Sequence, residues 1–574
     1  MRQRLISLTR KLLAGGSRLL ALRKKLPVSA SSLVPRRAWL VAAAGAAPSA
    51  GIVLGRGVQA ILSLRDRAVN IVRRNKYYRE AVPFALAGVL SCGLSYLIRT
   101  QTALAALWIA IGIFVTICVI NPRLGFLVWL FTSPLTTGRN YDVARGVPSI
   151  TFDRVTLLLL LTLVMAQKAV ARRRGVKIQV DSIDLLLITF AGLAVFSALF
   201  PAQVDITRPR GLKSLTAKLQ TTTALQGLLD HYFLPFGTFF IARALLDNER
   251  WLWRALVVVA FMPLYLGPVA VIENRYGISF WSRTGELVWK DIGKGRAGGP
   301  FVNPISFGIV LGTCLVFALF VYYTLPKVRV RILVLISIGL ACIAALFTYT
   351  RSAWISIVGR LLFFAAFSPR VRKAILIPIL LMVVALVLFR ASVTQSDLFQ
   401  KRVIVTSTIE ARMVAQRSMI NMIRDRPWFG FGAGRYKDYQ YLYYETAGGA
   451  VSSHNTYLSI IAEIGIVGFI PYLLVFAVMA FRTAVAYRIL PDKAGIISKG
   501  LVAAVAANIF GYVIAALTQD NRYDTYIEYA FWVNIAILWL CHRRALELAA
   551  QAEKAREVPM GPIQDRAVAQ PTPI

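Results

Sequence analysis

The chain has 574 residues, 57 % of them hydrophobic, with a mean hydropathy of +0.61 and a formal charge of +39. Repeated apolar runs of about 20 residues exclude a soluble core and call for a polytopic helical membrane protein. The charge does not point to nucleic acid, because the Lys and Arg lie mostly between apolar runs, as the positive-inside rule requires, with no nucleic-acid motif beside them.

The expected fold is therefore all-α, one polytopic integral membrane domain of about 12–14 transmembrane helices with a large outer loop. Residues 1–80 read as a basic cytoplasmic extension. Its first 38 residues lack a compact apolar stretch followed by a small-residue cleavage site, so no signal peptide is expected. Segment 39–62 is Ala/Gly-rich and contains Pro48 and Arg56. If it crossed the membrane, Arg65, Arg67, Arg73, Arg74, Lys76 and Arg79 would face outward, so it is read as an uncrossed extension.

Spans follow at about 81–98, 102–120, 123–138, 152–171, 183–200, 225–245, 251–272, 304–325, 330–349, 352–367, 374–390, 455–481, 498–517 and 526–541. The run 123–138 is short and ends near Pro134, but unless it crosses, Arg172, Arg173 and Arg174 face outward. With the amino terminus inside, the loops 172–182, 246–250, 326–331, 368–373 and 482–497 and the tail 542–574 are cytoplasmic, and nearly all are basic. The outer segments are 139–151, 201–224, 273–303, 391–454 and 518–525. Segment 391–454 is the longest, and Ile409, Met413, Met419, Ile420 and Ile423 recur in it as on an amphipathic helix lying at the surface.

Cys92, Cys118, Cys314, Cys342 and Cys541 fall inside or at the ends of apolar runs without metal-ligand spacing, so they read as small apolar fillers with no disulfide. The outer acidic residues Asp142, Glu273, Glu286, Asp291 and Glu410 form no metal-site pattern, and no metal or other cofactor is expected.

Only three histidines occur, and one of them, in Ser453-His454-Asn455, stands where the long polar loop meets the apolar run Thr456 to Met479. The stretch 452–474, containing SHNTYLSIIAEIGIVGFIPYLL, resembles the signature of the bacterial O-antigen ligase and O-antigen polymerase superfamily. Three further segments are similar to that family in the same order. They are Gly299-Pro300-Phe301-Val302-Asn303-Pro304, then Thr350-Arg351-Ser352-Ala353-Trp354, and then the basic stretch from Arg412 that ends in Pro427-Trp428-Phe429-Gly430-Phe431-Gly432-Ala433-Gly434-Arg435-Tyr436. The family-like core covers 299–474 within a membrane domain of 81–541.

The resemblance implies a membrane glycosyltransferase of a bacterial inner membrane, with both termini cytoplasmic. It would move a glycan from a polyprenyl-diphosphate carrier to a glycan or lipid A-core acceptor at the outer face, inverting the anomeric carbon without a metal. It gives His454 the catalytic place, and a neutral imidazole suits the removal of a proton from an acceptor hydroxyl. Arg351, Arg412 and Arg435 are expected to hold the donor diphosphate, because guanidinium forks match phosphate oxygens bidentately and keep their charge. Arg208, Arg210, Lys213 and Lys218 crowd another outer loop, and Arg210 is an additional candidate; contact with anionic lipid headgroups is the plainer reading of such cations.

Gly430, Gly432 and Gly434 suit either a tight turn or a backbone approach to phosphate. His454 and Glu463, if both helical, are separated by about 900° of rotation and about 13 Å of rise, so they do not form a hydrogen-bonded dyad. Asn455, Ser459 and Glu463 instead step by four, a polar ridge suited to gluing a neighbouring helix or lining the glycan path. His231 follows Asp230 and is the rival base, Arg360 lies near the middle of a span, free to snorkel or to pair with Glu463, and His542 suits interfacial anchoring. The competing reading is a flippase or other transporter, for which internal repeats and interrupted helices are the expected signs, and neither is evident. Export-complex partners are suggested only by the extension and the tail.

Overall fold

A computed structural model of the protein describes residues 112–136, 151–173, 180–201, 226–279, 288–289, 296–325, 328–388, 407–443, 453–492 and 495–557. Segment 39–62, the span 81–98, and the loop carrying Arg208, Arg210, Lys213 and Lys218 lie outside the described residues.

The described chain is a bundle of α-helices: α1 (Pro122–Thr136), α2 (Phe152–Arg173), α3 (Ser182–Leu199), α4 (Leu234–Leu245), α5 (Glu249–Phe261), α6 (Pro263–Tyr276), α7 (Pro304–Thr324), α8 (Val328–Phe347), α9 (Arg351–Phe367), α10 (Pro369–Leu388), α11 (Ser407–Asp425), α12 (Tyr436–Tyr439), α13 (Thr456–Ile489), α14 (Lys499–Ala516) and α15 (Thr525–Glu557). The described strand content is one antiparallel pair of two-residue strands, with Ile278 opposite Trp289. Helices α2, α3, α5 with α6, α7, α8, α13 and α14 are long and apolar enough to cross a membrane. The protein is an all-α polytopic membrane protein.

Helix α7 forms the centre for reasons visible in its sequence. It begins with Pro304 at its first position, capped by Asn303, whose Oδ1 accepts the Ile305 N–H at 3.1 Å. It carries no charge, and every residue from Ile305 to Val321 is buried, as expected of a helix that is apolar on all sides. Helices α5, α8, α9 and α14 pack around it. On α8 and α10 the outward residues remain apolar, among them Ile332, Leu335, Leu380 and Leu381, as lipid contact requires.

One end of the bundle is tied by ions. Asp181 caps α3 and receives Arg482 of α13 at 2.7 Å and the Trp539 indole of α15 at 2.9 Å, while Asp184 receives Arg243 of α4 at 2.7 Å. These residues come from segments that charge counting assigns to one side of the membrane.

Two helices depart from regularity. A π-turn, Leu229–Phe233, opens the run into α4. Helix α13 is broken at Gly465, whose φ of 80° and ψ of 178° suit glycine alone. The break is filled by the segment before α12. Phe431 N–H and Gly432 N–H donate to the carbonyls of Ala462 and Glu463 at 2.9 Å each, while Ile466 and Val467 N–H donate to the carbonyls of Pro427 and Trp428 at 2.8 and 3.3 Å. Four bonds to the loop thus replace bonds the helix would have made to itself. The expectation of uninterrupted helices is corrected at this point.

Helix α11 lies against α13, and its buried face is Ala415, Ser418, Met419 and Met422, spaced by three and four. Met413 and Ile420, which the sequence pattern groups with Met419, remain exposed. The face is chosen by Phe431, Tyr436 and Tyr439, which pack on Met419 and Met422. Helix α15 runs without interruption from Thr525 through His542 to Glu557. Cys118, Cys314 and Cys541 are buried and Cys342 is exposed, all as free thiols.

Candidate functional site

Among the described residues three that are not glycine have a left-handed φ: Val302 at 56°, Tyr349 at 44° and His454 at 51°. Each falls in or beside one of the motif segments at 299–304, 350–354 and 453–455. Such backbone costs about 1–3 kcal/mol per residue and persists only where its surroundings enforce it, which is common at functional sites.

Around Val302 the enforcement is a buried carboxylate. Glu273 of α6 accepts the Gly298 and Gly299 N–H groups at 2.8 Å each and the Ser279 hydroxyl at 2.7 Å. Beside Tyr349, the Trp354 indole donates to the Ala345 carbonyl at 2.8 Å, fixing the start of α9 and placing Arg351 at its first position.

His454 sits before α13 rather than on it. Asn455 is the cap, its Oδ1 accepting the Leu458 N–H at 3.0 Å while its Nδ2 donates to the Leu517 carbonyl at 3.4 Å. The helical construction that separated His454 from Glu463 is therefore corrected in its premise, since His454 is not helical. The imidazole is half-buried, and its Nδ1 is buried without a hydrogen-bond partner. Burial first, and then the Arg412 guanidinium, push its pKa down to about 4, with Asp520 opposing. The ring is neutral at neutral pH and can accept a proton.

Burial first, and then the charge of Arg351, hold the pKa of Arg412 of α11 below the ordinary guanidinium range. Among the described residues the Arg412 guanidinium has no hydrogen-bond acceptor, and its Nε is buried. Two arginines and a neutral imidazole thus share one neighbourhood, an arrangement suited to an anionic guest.

The segment Gln519-Asp520-Asn521-Arg522 lies between α14 and α15, in the short outer segment 518–525. It supplies a dense, buried polar network. Arg522 donates to Asp520 through Nε at 2.9 Å and Nη2 at 2.7 Å, to Glu463 Oε2 through Nη1 at 2.7 Å, and to the Tyr232 hydroxyl. Asp520 also accepts the Ser453 hydroxyl, next to His454, at 2.9 Å. Burial pushes the Asp520 carboxyl up, but Arg522 and the hydroxyls of Ser459 and Ser453 more than offset this and hold it below the ordinary carboxylate range. Thr456 Oγ1 bridges this segment to α13, donating to the Gln519 carbonyl and accepting the Asn521 N–H, each at 3.0 Å. The signal for this cluster was available, since four polar residues in a row between two spans carry both signs of charge.

The polar ridge of Asn455, Ser459 and Glu463 faces this segment. Glu463 pairs with Arg522 rather than with Arg360, and it also accepts the Tyr436 N–H at 3.3 Å. Arg435, next in the chain, is buried, its Cδ against Gly432 and its Nε without a partner. Of the glycine-run amides, that of Gly432 is spent on the α13 break, as is that of Phe431, so this part of the turn is structural rather than a phosphate cradle.

His231 lies in the π-turn. Its Nδ1 donates to the Arg522 carbonyl at 2.6 Å, whereas Asp230 is taken by Arg154, Nε to Oδ1 at 2.7 Å. The expected orientation of His231 by Asp230 is corrected, since Arg154 outcompetes the neighbouring ring. Arg360 is fully buried within α9, far from any snorkelling position, and donates to the Ile309 carbonyl. Arg210 lies outside the described residues. No group of three or more His, Cys, Asp or Glu that could hold a metal occurs among the described residues.

The described helices define a polytopic helical membrane protein. Residues 336–473 match the family model described as O-antigen ligase, a match that spans Arg351, Arg360, Arg412, Arg435, His454, Asn455 and Glu463. The chain carries an O-antigen ligase domain there, which supports its place in the O-antigen ligase and polymerase superfamily. No curated protein matches the chain. The domain supports ligase-type glycan transfer in general, with a lipid-linked glycan and an acceptor as substrates, and the apolar helices place the chain as a multipass protein of a bacterial inner membrane.

Proposed function

We propose that the protein transfers a glycan from a polyprenyl-diphosphate carrier to an acceptor hydroxyl at the outer face of the inner membrane, as an O-antigen ligase or a polysaccharide polymerase. The observation that supports this reading is electrostatic proximity: Arg412 is lowered by the charge of Arg351 and in turn helps to keep His454 neutral. The arginines, with Arg435, hold the diphosphate and stabilise the charge that collects on its oxygens as the sugar–phosphate bond breaks. His454 takes the proton of the acceptor hydroxyl, whose oxygen attacks the anomeric carbon from the side opposite the leaving diphosphate, inverting it. With guanidinium groups neutralising the leaving group, no metal is needed.

An open apolar groove supports lateral entry of the carrier. It runs along α9 and α14 and is lined by Trp354, Ile355, Val358, Leu362, Phe510 and Ile514, starting one turn below Arg351. A flippase is the second reading, favoured by the break in α13. The break is closed by loop backbone, however, rather than left open to a guest.

The test is incubation of the purified full-length protein with lipid-diphosphate-linked glycan and candidate acceptors in EDTA. Wild type should transfer, whereas His454→Ala should still bind donor and lose transfer by about 10²-fold or more. Wild-type transfer by the variant, or movement of the donor across the bilayer without transfer, would overturn the reading.

A further inference from the structure

A second apolar groove lies between α1 and α5 and shares no residue with the groove along α9 and α14. Leu124, Val128 and Phe131 of α1 form one wall, Trp253, Val257 and Val258 of α5 form the other, and Arg254 stands on the rim. The residues of each wall are three or four apart, so each wall is one helix face.

Both ends of the groove are pinned. At one end Arg123 pairs with Asp247 at 2.7 Å, tying the start of α1 to the turn before α5. At the other the Tyr265 hydroxyl of α6 donates to the Phe131 carbonyl at 2.8 Å, and the two rings meet edge to face with centroids 4.9 Å apart. These cross-links hold the walls apart over about two helical turns, roughly 10 Å of rise, which makes a preformed slot for part of an acyl chain.

Charge collects at one end of the slot. Arg250 and Arg254 are both exposed and stand four residues apart on one face of α5. The Arg254 guanidinium lies over the Trp251 ring, 4.4 Å from its centroid. The neighbouring carboxylates are turned elsewhere, Asp247 to Arg123 and Glu249 to the backbone at Gly495. Among the described residues no carboxylate pairs with Arg250 or Arg254. Like charges one turn apart repel, and an anion near both relieves the repulsion. Trp and Arg at the end of a span also mark the headgroup level, where a phosphate would sit.

We infer that the groove between α1 and α5 is a binding site for an anionic glycerophospholipid, with an acyl chain in the slot and the phosphate between Arg250 and Arg254. A neutral lipid would fill the slot equally but gain nothing from the two arginines. The polyprenyl-diphosphate donor fits less well, because its glycan is used at the outer face, whereas this charged end adjoins the loop 246–250, which charge counting assigns to the cytoplasmic side. The site does not depend on which glycan is transferred.

The experiment is native mass spectrometry of the delipidated full-length protein in detergent, titrated with phosphatidylglycerol or phosphatidylcholine. Wild type should bind phosphatidylglycerol saturably, about tenfold or more tighter than phosphatidylcholine. Arg254→Gln should weaken phosphatidylglycerol about fivefold, in line with the loss of one cation near an anionic headgroup, and Arg250→Gln with Arg254→Gln should bring it to the level of phosphatidylcholine. Val128→Trp, which fills the slot, should weaken both lipids, and Arg412→Gln at the outer mouth should change neither. Absence of a phosphatidylglycerol preference in wild type, as expected if another segment of the chain covers the groove, would overturn the proposal. So would a preference that persists in the double arginine variant, or one lost in Arg412→Gln. Unchanged binding by Val128→Trp would mean that headgroups meet the arginines without the slot, and would overturn it as well.

Discussion

Arg522 and Arg412 both border the surroundings of His454, yet they are set in opposite ways. Arg522 is saturated, its guanidinium shared among Asp520, Glu463 and Tyr232, and its carboxylate partners are buried with it. Arg412 is partly buried beside another cation, and no acceptor among the described residues meets its guanidinium. A saturated cation holds the protein together, and an unsatisfied one is available to a substrate. The comparison separates structural from substrate-facing arginines in a chain with 66 Lys and Arg, where charge alone separates nothing.

The sharpest way to break the comparison is to remove the saturated member. Arg522→Met strands the buried carboxylates of Asp520 and Glu463 and should cost about 3–5 kcal/mol of stability. Thermal unfolding in detergent would show it, and a midpoint equal to wild type would deny Arg522 its structural role. Next comes the joint between loop and helix. Gly465→Ala places a Cβ against the Trp428 carbonyl at a φ of 80° and should cost at least about 2 kcal/mol, read by the same melt.

On the other side, Arg412→Lys should leave the melt unchanged while lowering transfer about tenfold, because a point charge loses the bidentate fork. Full activity in that variant would mean that Arg412 only meets headgroups. The smallest effect concerns pH. With its pKa near 4, His454 is a competent base across the neutral range and loses that capacity only as pH falls through about 4. Its folded pKa lies below the unfolded value of about 6.5, so the unfolded chain takes the proton first, and the related loss of stability begins as pH drops below that value. The acid limb of kcat/KM should therefore lie near 4 in wild type and move upward in Arg412→Gln, which removes a repelling cation but not the burial. A limb near 6.5 in wild type would contradict the buried setting.

Much of this was legible in the residues. The apolar runs are long enough to span, and hydrocarbon permits a polar backbone to cross only when it bonds to itself, so length and hydropathy determined an all-α bundle. The order of motif segments also singled out Arg351, Arg412 and His454. Periodicity gave α11 as a helix, but Met413 and Ile420 satisfy an apolar pattern as well as Ala415 and Met422 do, and only Phe431, Tyr436 and Tyr439 decide which face is covered by protein.

The tertiary structure alone decided the pairings. Asp230 adjoins His231 in the chain but reaches Arg154, and Glu463 meets Arg522 across 59 positions of sequence. Which donor a carboxylate finds depends on distances of a few ångströms between helices, a quantity that no local pattern encodes. The break at Gly465 is of the same kind: a glycine permits it, but it is stable only because Pro427, Trp428, Phe431 and Gly432 arrive to take the freed backbone groups.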